Sequence, residues 1–316
     1  MSRNVTVGLD GSTESRAAAM GAPPTPFGQW GRAAREAKLR GLPLRLVHVW
    51  EPVPEPMAQA PLLGAETPAH WRERIPRETA EELRMRHPGV HVDTEQIPGR
   101  PADALAVAAK GAELLVLGSR GLSGIGGFLV GSVGMAVIAD TEIPVVLVRA
   151  GEQAADEHEA GPAGIPSAAT AYRPVVLGID TGRPDDAVLA FAFDEAARRG
   201  TSLRVVHGWN LPPYSAYGVP ADPELNAELG RQEAAALSEV LRPWRRKYPD
   251  VEVVEESRSG SPAHHVIDAS HDASLVVVGR RSAAARSAST SDPSRTRYCT
   301  TPPPPSPSSR TTERTL

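Results

Sequence analysis

Four short segments of this chain occur twice, in the same order. Val5-Thr6-Val7-Gly8-Leu9-Asp10 returns as Val175-Val176-Leu177-Gly178-Ile179-Asp180, and Leu44-Arg45-Leu46-Val47-His48 as Leu203-Arg204-Val205-Val206-His207. Gly99-Arg100-Pro101-Ala102-Asp103 returns as Gly260-Ser261-Pro262-Ala263-His264, and Leu114-Leu115-Val116-Leu117-Gly118 as Leu275-Val276-Val277-Val278-Gly279. Ordered self-similarity means that one unit of roughly 140–150 residues has been duplicated, and a unit of that size can close its own core. The division is 1–150, a joining segment 151–172, a second copy 173–281, and a tail 282–316. Residues 151–172, acidic and then rich in Ala, Gly and Pro, read as a flexible linker.

Each copy alternates short β-branched runs with helical patterns. In the first copy the strands are expected near 5–9, 44–50, 90–97, 114–118 and 144–149. Helices are expected near 33–40, 68–87, 101–110 and 132–140, with Pro101 well placed in a first helical turn. Apolar strands alternating with helices predict α/β domains, each with a parallel sheet covered on both faces. Ligands then bind beyond the carboxyl ends of the strands, where the strand order reverses. Asp10, after the first strand, and Gly118, at the end of the fourth, would meet there.

Residues 118–132 place a glycine-rich loop between a buried strand and a helix start. That arrangement lets backbone N–H groups hold phosphates. Gly118, Gly121 and Gly131 let the backbone approach an anion, and Ser132 can cap the helix and donate its hydroxyl. It is not a Walker A loop, because no Gly-Lys-Ser/Thr closes it.

Two irregularities break the repeat. Asp10 and His48 are 38 positions apart, Asp180 and His207 only 27, so the first copy carries 11 extra residues. The proline-rich stretch 21–31 is expected to hold them as a looped-out insertion that interrupts the first helix, whereas 185–199 is a clean helix stopped by Gly200. The second irregularity follows Gly279. Residues 282–316 lack Val, Ile and Leu until Leu316, and read as a disordered low-complexity tail in place of a glycine loop, a helix and a fifth strand.

Composition narrows the function classes. The net charge is −4 and no dense basic patch occurs, which argues against nucleic acid or a membrane surface as partner. A single cysteine, Cys299, excludes an intrachain disulfide and fits a reducing compartment, and no apolar run approaches ~18 residues. A cytoplasmic location is the expectation.

The spacing Gly118-x2-Gly121-x9-Gly131-Ser132, following these strands in a duplicated chain, resembles the ATP-binding signature of the universal stress protein family. The resemblance covers most of residues 3–281. It implies tandem five-stranded parallel domains of the adenine nucleotide α-hydrolase-like kind, the second incomplete. It also implies ATP as ligand, with Mg2+ as a candidate companion. Carried over by position, Asp10 would hold the ribose or lie near the adenine, and Gly8 would keep the wall low. Val49 would meet the adenine edge through its backbone. Gly118, Arg120 and Gly121 would border the ribose and phosphates, and Gly131, Ser132 and Val133 would supply phosphate donors. The second copy, with Arg281-Ser282 where the loop should begin, is expected not to bind ATP. A family-like ending Ala-Pro-Val-Ala-Val-Val, in GC-rich codons read one base late, gives the Pro-Pro-Ser-Pro-Ser-Ser found at 304–309, so a frameshift is one reading of the tail, and a natural disordered segment of biased composition is the other. In the family the fifth strand pairs domains. Here Val145–Val148 would lack a partner in the same chain and invite homodimerisation or aggregation.

Plainer readings stand beside these. Asp10 can act as a helix cap only. His48 and His207 suit strand-end core histidines better than metal ligands, because no second ligand has a useful spacing. No hydrolytic base or γ-phosphate lysine stands out, so the expectation is not an enzyme but a nucleotide-dependent stress-response switch read by unknown protein partners. Slow hydrolysis or autophosphorylation at Ser132 or Ser119 is left open. The alternative is an interaction or scaffold module of the same fold that no longer binds nucleotide. An ATP-activating enzyme is disfavoured, since neither Ser-Gly-Gly-x-Asp-Ser nor His-x-Gly-His occurs.

Overall fold

The computed structural model describes residues 3–9, 27–51, 68–118, 120–121, 128–129, 131–149, 152–162, 164–211, 222–280 and 297–300. The first copy runs β1 (Val5–Leu9), α1 (Phe27–Arg40), β2 (Leu44–Trp50), α2 (Pro68–Arg86), β3 (Val92–Pro98), α3 (Pro101–Ala108) and β4 (Leu114–Gly118). A small hairpin, β5 (Arg120–Gly121) and β6 (Phe128–Leu129), leads to α4 (Ser132–Asp140) and β7 (Val145–Val148). The second copy has β8 (Val175–Gly178), α5 (Asp186–Arg199), β9 (Leu203–Trp209), α6 (Pro223–Lys247), β10 (Val253–Ser259), α7 (Pro262–Ser270) and β11 (Leu275–Gly279). A last strand, β12 (Arg297–Thr300), follows.

Five parallel strands in the order β3-β2-β1-β4-β7 form the first sheet, and four parallel strands, β10-β9-β8-β11, form the second. The second copy is the smaller one, as its sequence implies. β12 stands between the sheets, antiparallel to β11 and parallel to β7, so one ladder crosses both copies. Two expectations are corrected here. Val145–Val148 is not a bare edge, because Tyr298, Cys299 and Thr300 pair with Val145, Val146 and Leu147. Within the supposedly disordered 282–316, Arg297–Thr300 is a strand, and the remaining residues lie outside those described. The physical reason is the one that makes bare edges hazardous: two rows of unpaired backbone groups, on β7 and β11, are satisfied by any extended segment within reach.

The inner strands are buried because their side chains alternate between two helical layers, whereas the edge strands β3 and β10 are mostly half-buried or exposed. Val5, Val7, Leu44, Leu46, Leu114 and Val116 face α1 and α2, and their counterparts Val175, Leu177, Leu203, Val205, Leu275 and Val277 belong to the same core cluster. On the other face Leu105, Leu115, Leu117, Val137 and Val145 form a core under α3 and α4. The equivalent core of the second copy is small (Val176, Val206, Ala269, Ala273, Val276), because α7 has no partner equivalent to α4 among the described residues.

The insertion is also corrected. Residues 27–31 do not loop out but form the first turns of α1, with Trp30 only 7% exposed. α1 and α5 both have 14 residues and end at corresponding glycines, so the extra residues fall between Leu9 and Phe27, ahead of the helix. Prolines 23, 24 and 26 exclude a helix interior, whereas 27–40 contains no proline to stop propagation back to Phe27. Gly200 ends α5 in the left-handed region (φ 60°), and Gly41 follows α1 with φ 63°.

The two copies meet through buried charge. Glu36 of α1 pairs with Arg40 one turn on and with Arg199 of α5, while Glu195 of α5 pairs with Arg199 and with Arg40. Glu36 and Arg40 occupy the same repeat positions as Glu195 and Arg199, so the four side chains form a ring with pseudo-two-fold symmetry. Arg32 extends it, contacting Glu36 (2.9 Å), Glu157 (3.0 Å) and the Ser274 carbonyl (3.2 Å) at 0% exposure. Burial opposes ionisation of Glu36, but Arg199, Arg40 and Arg32 outweigh it and hold its carboxyl far below the usual range.

Residues 152–172 do not behave as a flexible linker. Glu152, Glu157 and His158 are buried, and Glu157 and Glu152 join the charge network through Arg32 and Arg35. A short 3-10 turn (Ala154–Glu157) is held by a reciprocal Gln153–Asp156 capping box. Bridges His158↔Tyr172 and Ala160↔Pro166, with Glu159 N–H donating to the Ala171 carbonyl at 2.9 Å, fold the segment back on itself. Acidic residues that look solvating in sequence are here the counter-ions of buried arginines.

Candidate functional site

The strand order reverses at β1: the chain passes to β2 on one side and reaches β4 on the other only after crossing to the opposite face. At such a point the connections leave in opposite directions and open a crevice. The register shows it. The β1–β2 ladder continues to Leu9↔His48 and the β4–β7 ladder to Gly118↔Val148, whereas the β1–β4 ladder stops at Val7↔Val116. In the second copy the corresponding ladder goes one pair further, to Val278↔Gly178. The crevice between β1 and β4 is therefore one pair deeper in the first copy.

Gly118 closes β4 at this crevice and is exposed. Its missing side chain faces α1, where a methyl group would overlap the carboxamide of Gln29. Gly8 faces the other layer. A Cβ there would stand 2.7 Å from Leu105 and 2.8 Å from Leu117, so this glycine makes room for α3 whatever else it does. Val49 is the next residue beyond the last β1–β2 pair, with its side chain buried in the α3 core. Asp10 lies outside the described residues.

From Gly118 the chain runs through the β5–β6 hairpin, where Arg120 pairs with Leu129 and Gly121 with Phe128, and returns to α4. Gly131 is the N-cap of α4, with φ −63° and ψ 161°, a conformation open to any residue. The capping role expected of Ser132 is corrected: Ser132 is the first helical residue, and no side chain caps α4. The cap accepts from N2 or N3, and a residue already inside the helix points its hydroxyl elsewhere. The exposed Ser132 hydroxyl has no hydrogen-bond partner among the described residues, and Val133 is half-buried behind it. The first N–H groups of a helix have no intrahelical acceptor, and the helix dipole adds positive potential at that end.

Among the described residues a polar cleft of about 490 Å3 is lined by Asn4, Arg45, Asp93, Glu95 and Lys110. It lies at the opposite, amino end of β1, β2 and β3, and Arg45 and Glu95 pair within it. No group of three or more histidine, cysteine, aspartate or glutamate side chains able to hold a metal occurs among the described residues. His207 is engaged by the Ile179 carbonyl (3.2 Å), Thr181 (3.2 Å) and Glu233 (3.0 Å). No described helix is long and apolar enough to cross a membrane.

Sequence reasoning missed Gln29, having placed it in the insertion, and missed the charge ring. A fifth repeat could have exposed both: Glu36-Ala37-x2-Arg40-Gly41 matches Glu195-Ala196-x2-Arg199-Gly200, and the same offset sets Gln29 over Val188.

The profile of the universal stress protein family matches residues 1–149 and 171–292. A universal stress protein of Mycolicibacterium smegmatis is 33% identical over 285 residues, covering 87% of this chain and 86% of that protein. Another, from Mycobacterium tuberculosis H37Rv, is 33% identical over 290 residues with the same coverage. Among solved structures, a protein of unknown function from Pseudomonas aeruginosa PAO1 shares the fold, with a TM-score of 0.52 and 14% identity over 95% of this chain and 93% of that one. With both repeats matched and relatives similar over nearly their whole length, this chain belongs to the universal stress protein family.

Proposed function

We propose that the first copy binds ATP in the crevice between β1 and β4, and that the chain is a nucleotide-dependent stress-response switch. The observation that carries this reading is the uncapped start of α4, reached from Gly118 by a short hairpin. Gly131, Ser132 and Val133 offer backbone N–H groups and the exposed Ser132 hydroxyl to phosphate oxygens. Gly118, Arg120 and Gly121 border the ribose and phosphates, Gly8 and Val49 flank the base, and Asp10 suits ribose hydroxyls. Mg2+ would come with the nucleotide, held mainly by its phosphates and water. The hairpin is the element whose order nucleotide binding would change and partners would read. Among the described residues of the site none has the makings of a fast hydrolytic base, so slow or absent turnover is the expectation. The second copy, with a shallower crevice, takes no nucleotide, and the cytoplasm is the expected compartment.

Equilibrium dialysis of the full chain with ATP tests this. About one ATP per chain is expected, lost in Gly131→Val, whose branched side chain shields the α4 amides. Absence of binding by folded protein would instead make the chain an interaction module of this fold.

A further inference from the structure

α1 and α5 are equivalent helices, and their third residues are Gln29 and Val188. Each lies over the glycine that closes the fourth strand of its copy: Gln29 over Gly118, and Val188 with its Cγ2 3.2 Å from a Cβ built on Gly279. In the second copy the contact is apolar and Val188 is buried (4% exposed). In the first copy a polar carboxamide occupies the same place, beside the deeper crevice. Gln29 is half-buried and has no hydrogen-bond partner among the described residues. Its Oε1 rests against Gly118, while Nε2 is turned further off, 3.7 Å from the built Cβ. A carboxamide at this place can donate to and accept from a ligand, which the valine of the second copy cannot.

We propose that Gln29 is a ligand-contacting residue of the first copy, donating from Nε2 to a ribose or phosphate oxygen of the bound nucleotide. This rests on the proposal that the crevice binds ATP. It explains why the two copies differ at an otherwise equivalent contact. Val188 packs on its glycine with an apolar side chain, whereas Gln29 sets a carboxamide against Gly118, at the edge of the crevice.

The test is ATP affinity, measured by isothermal titration calorimetry on the full chain, for wild type, Gln29→Val and Gln29→Glu. Valine is already accommodated at the equivalent site, so Gln29→Val is expected to fold with an unchanged urea midpoint. Loss of one hydrogen bond is expected to weaken ATP binding about 3–10-fold. Gln29→Glu keeps the shape but replaces the donor with a negative charge, and is expected to bind more weakly than Gln29→Val. If wild type binds ATP and both variants match it, the role of Gln29 is overturned and the ATP reading stands. If Gln29→Glu binds as well as wild type while Gln29→Val does not, the amide is not a donor and the proposal fails. If wild-type protein does not bind, both proposals fall, and Gly131→Val then shows no difference from wild type either.

Discussion

Replacing Glu36 with glutamine removes one negative charge from a network in which Arg32, Arg35, Arg40 and Arg199 face Glu36, Glu152, Glu157 and Glu195. The Glu36 side chain is 1% exposed and meets three guanidinium groups, those of Arg32 and Arg199 at 0% and Arg40 at 2%. After the substitution each arginine keeps another carboxylate, so no cation is wholly orphaned, but the cluster carries an uncompensated positive charge away from water. Breaking a buried pair in this way costs about 3–5 kcal/mol, against at most ~1 kcal/mol for a surface pair. Urea denaturation followed by circular dichroism and tryptophan fluorescence measures the difference. The pH dependence gives a second reading. The folded-state pKa of Glu36 is depressed, so its stabilisation is fully present above the unfolded value near ~4.3 and is lost as pH falls toward the folded value. Wild type is expected to lose stability from about pH 5 down to 3, and Glu36→Gln to lose less over that range. Combining Glu36→Gln with Arg199→Gln should cost less than the sum of the two, because the second change removes the charge stranded by the first. A loss below ~1 kcal/mol with an unchanged acid limb would refute the claim that the ring is buried and holds the copies together.

Two other perturbations probe the frame around the site, alongside the ATP and Gln29 measurements. Gly8→Ala places a methyl 2.7–2.8 Å from Leu105 and Leu117 and is expected to cost about 1–3 kcal/mol in urea denaturation, partly recovered by Leu105→Val. An unchanged midpoint would mean that α3 is not seated as described. A chain ending at residue 296 loses β12 and bares Val145–Val148. Light scattering on a sizing column should then find concentration-dependent dimers or aggregates, and a clean monomer of wild-type stability would show that β12 does not protect that edge.

Much of the local structure was legible in the chain. The repeated Val-rich runs and the intervening 3.6-residue patterns place β1, β2, β4 and α2 to α4 to within two residues, because side-chain period and proline position are local properties. The glycine spacing marks the loop after β4 and the start of α4 for the same reason, but not the β5–β6 pairing within that loop. α1 was misjudged because an insertion can be counted from a repeat but not located by it. The prolines pointed at 21–31, yet the helix reaches back to Phe27 as soon as they end.

The interior between the copies could not be read in that way. Glu36 and Arg40, and Glu195 and Arg199, are four residues apart, a spacing that on a single helix describes a solvent-exposed pair. Only the packing of α1 against α5 turns the two pairs into one buried ring, through contacts such as Glu36–Arg199 that span 163 positions. The same holds for Glu157, acidic and apparently solvated in sequence but paired with Arg32 in the interior, and for Arg297–Thr300, whose composition gives no strand signal until two open ladders lie on either side. The sequence by itself determined most of the elements, their duplication and the chemistry available at the strand ends. The tertiary structure decided which charges are buried, which edge is covered, and that Gln29 rather than an apolar residue stands over Gly118, since each of these depends on partners that no local pattern encodes.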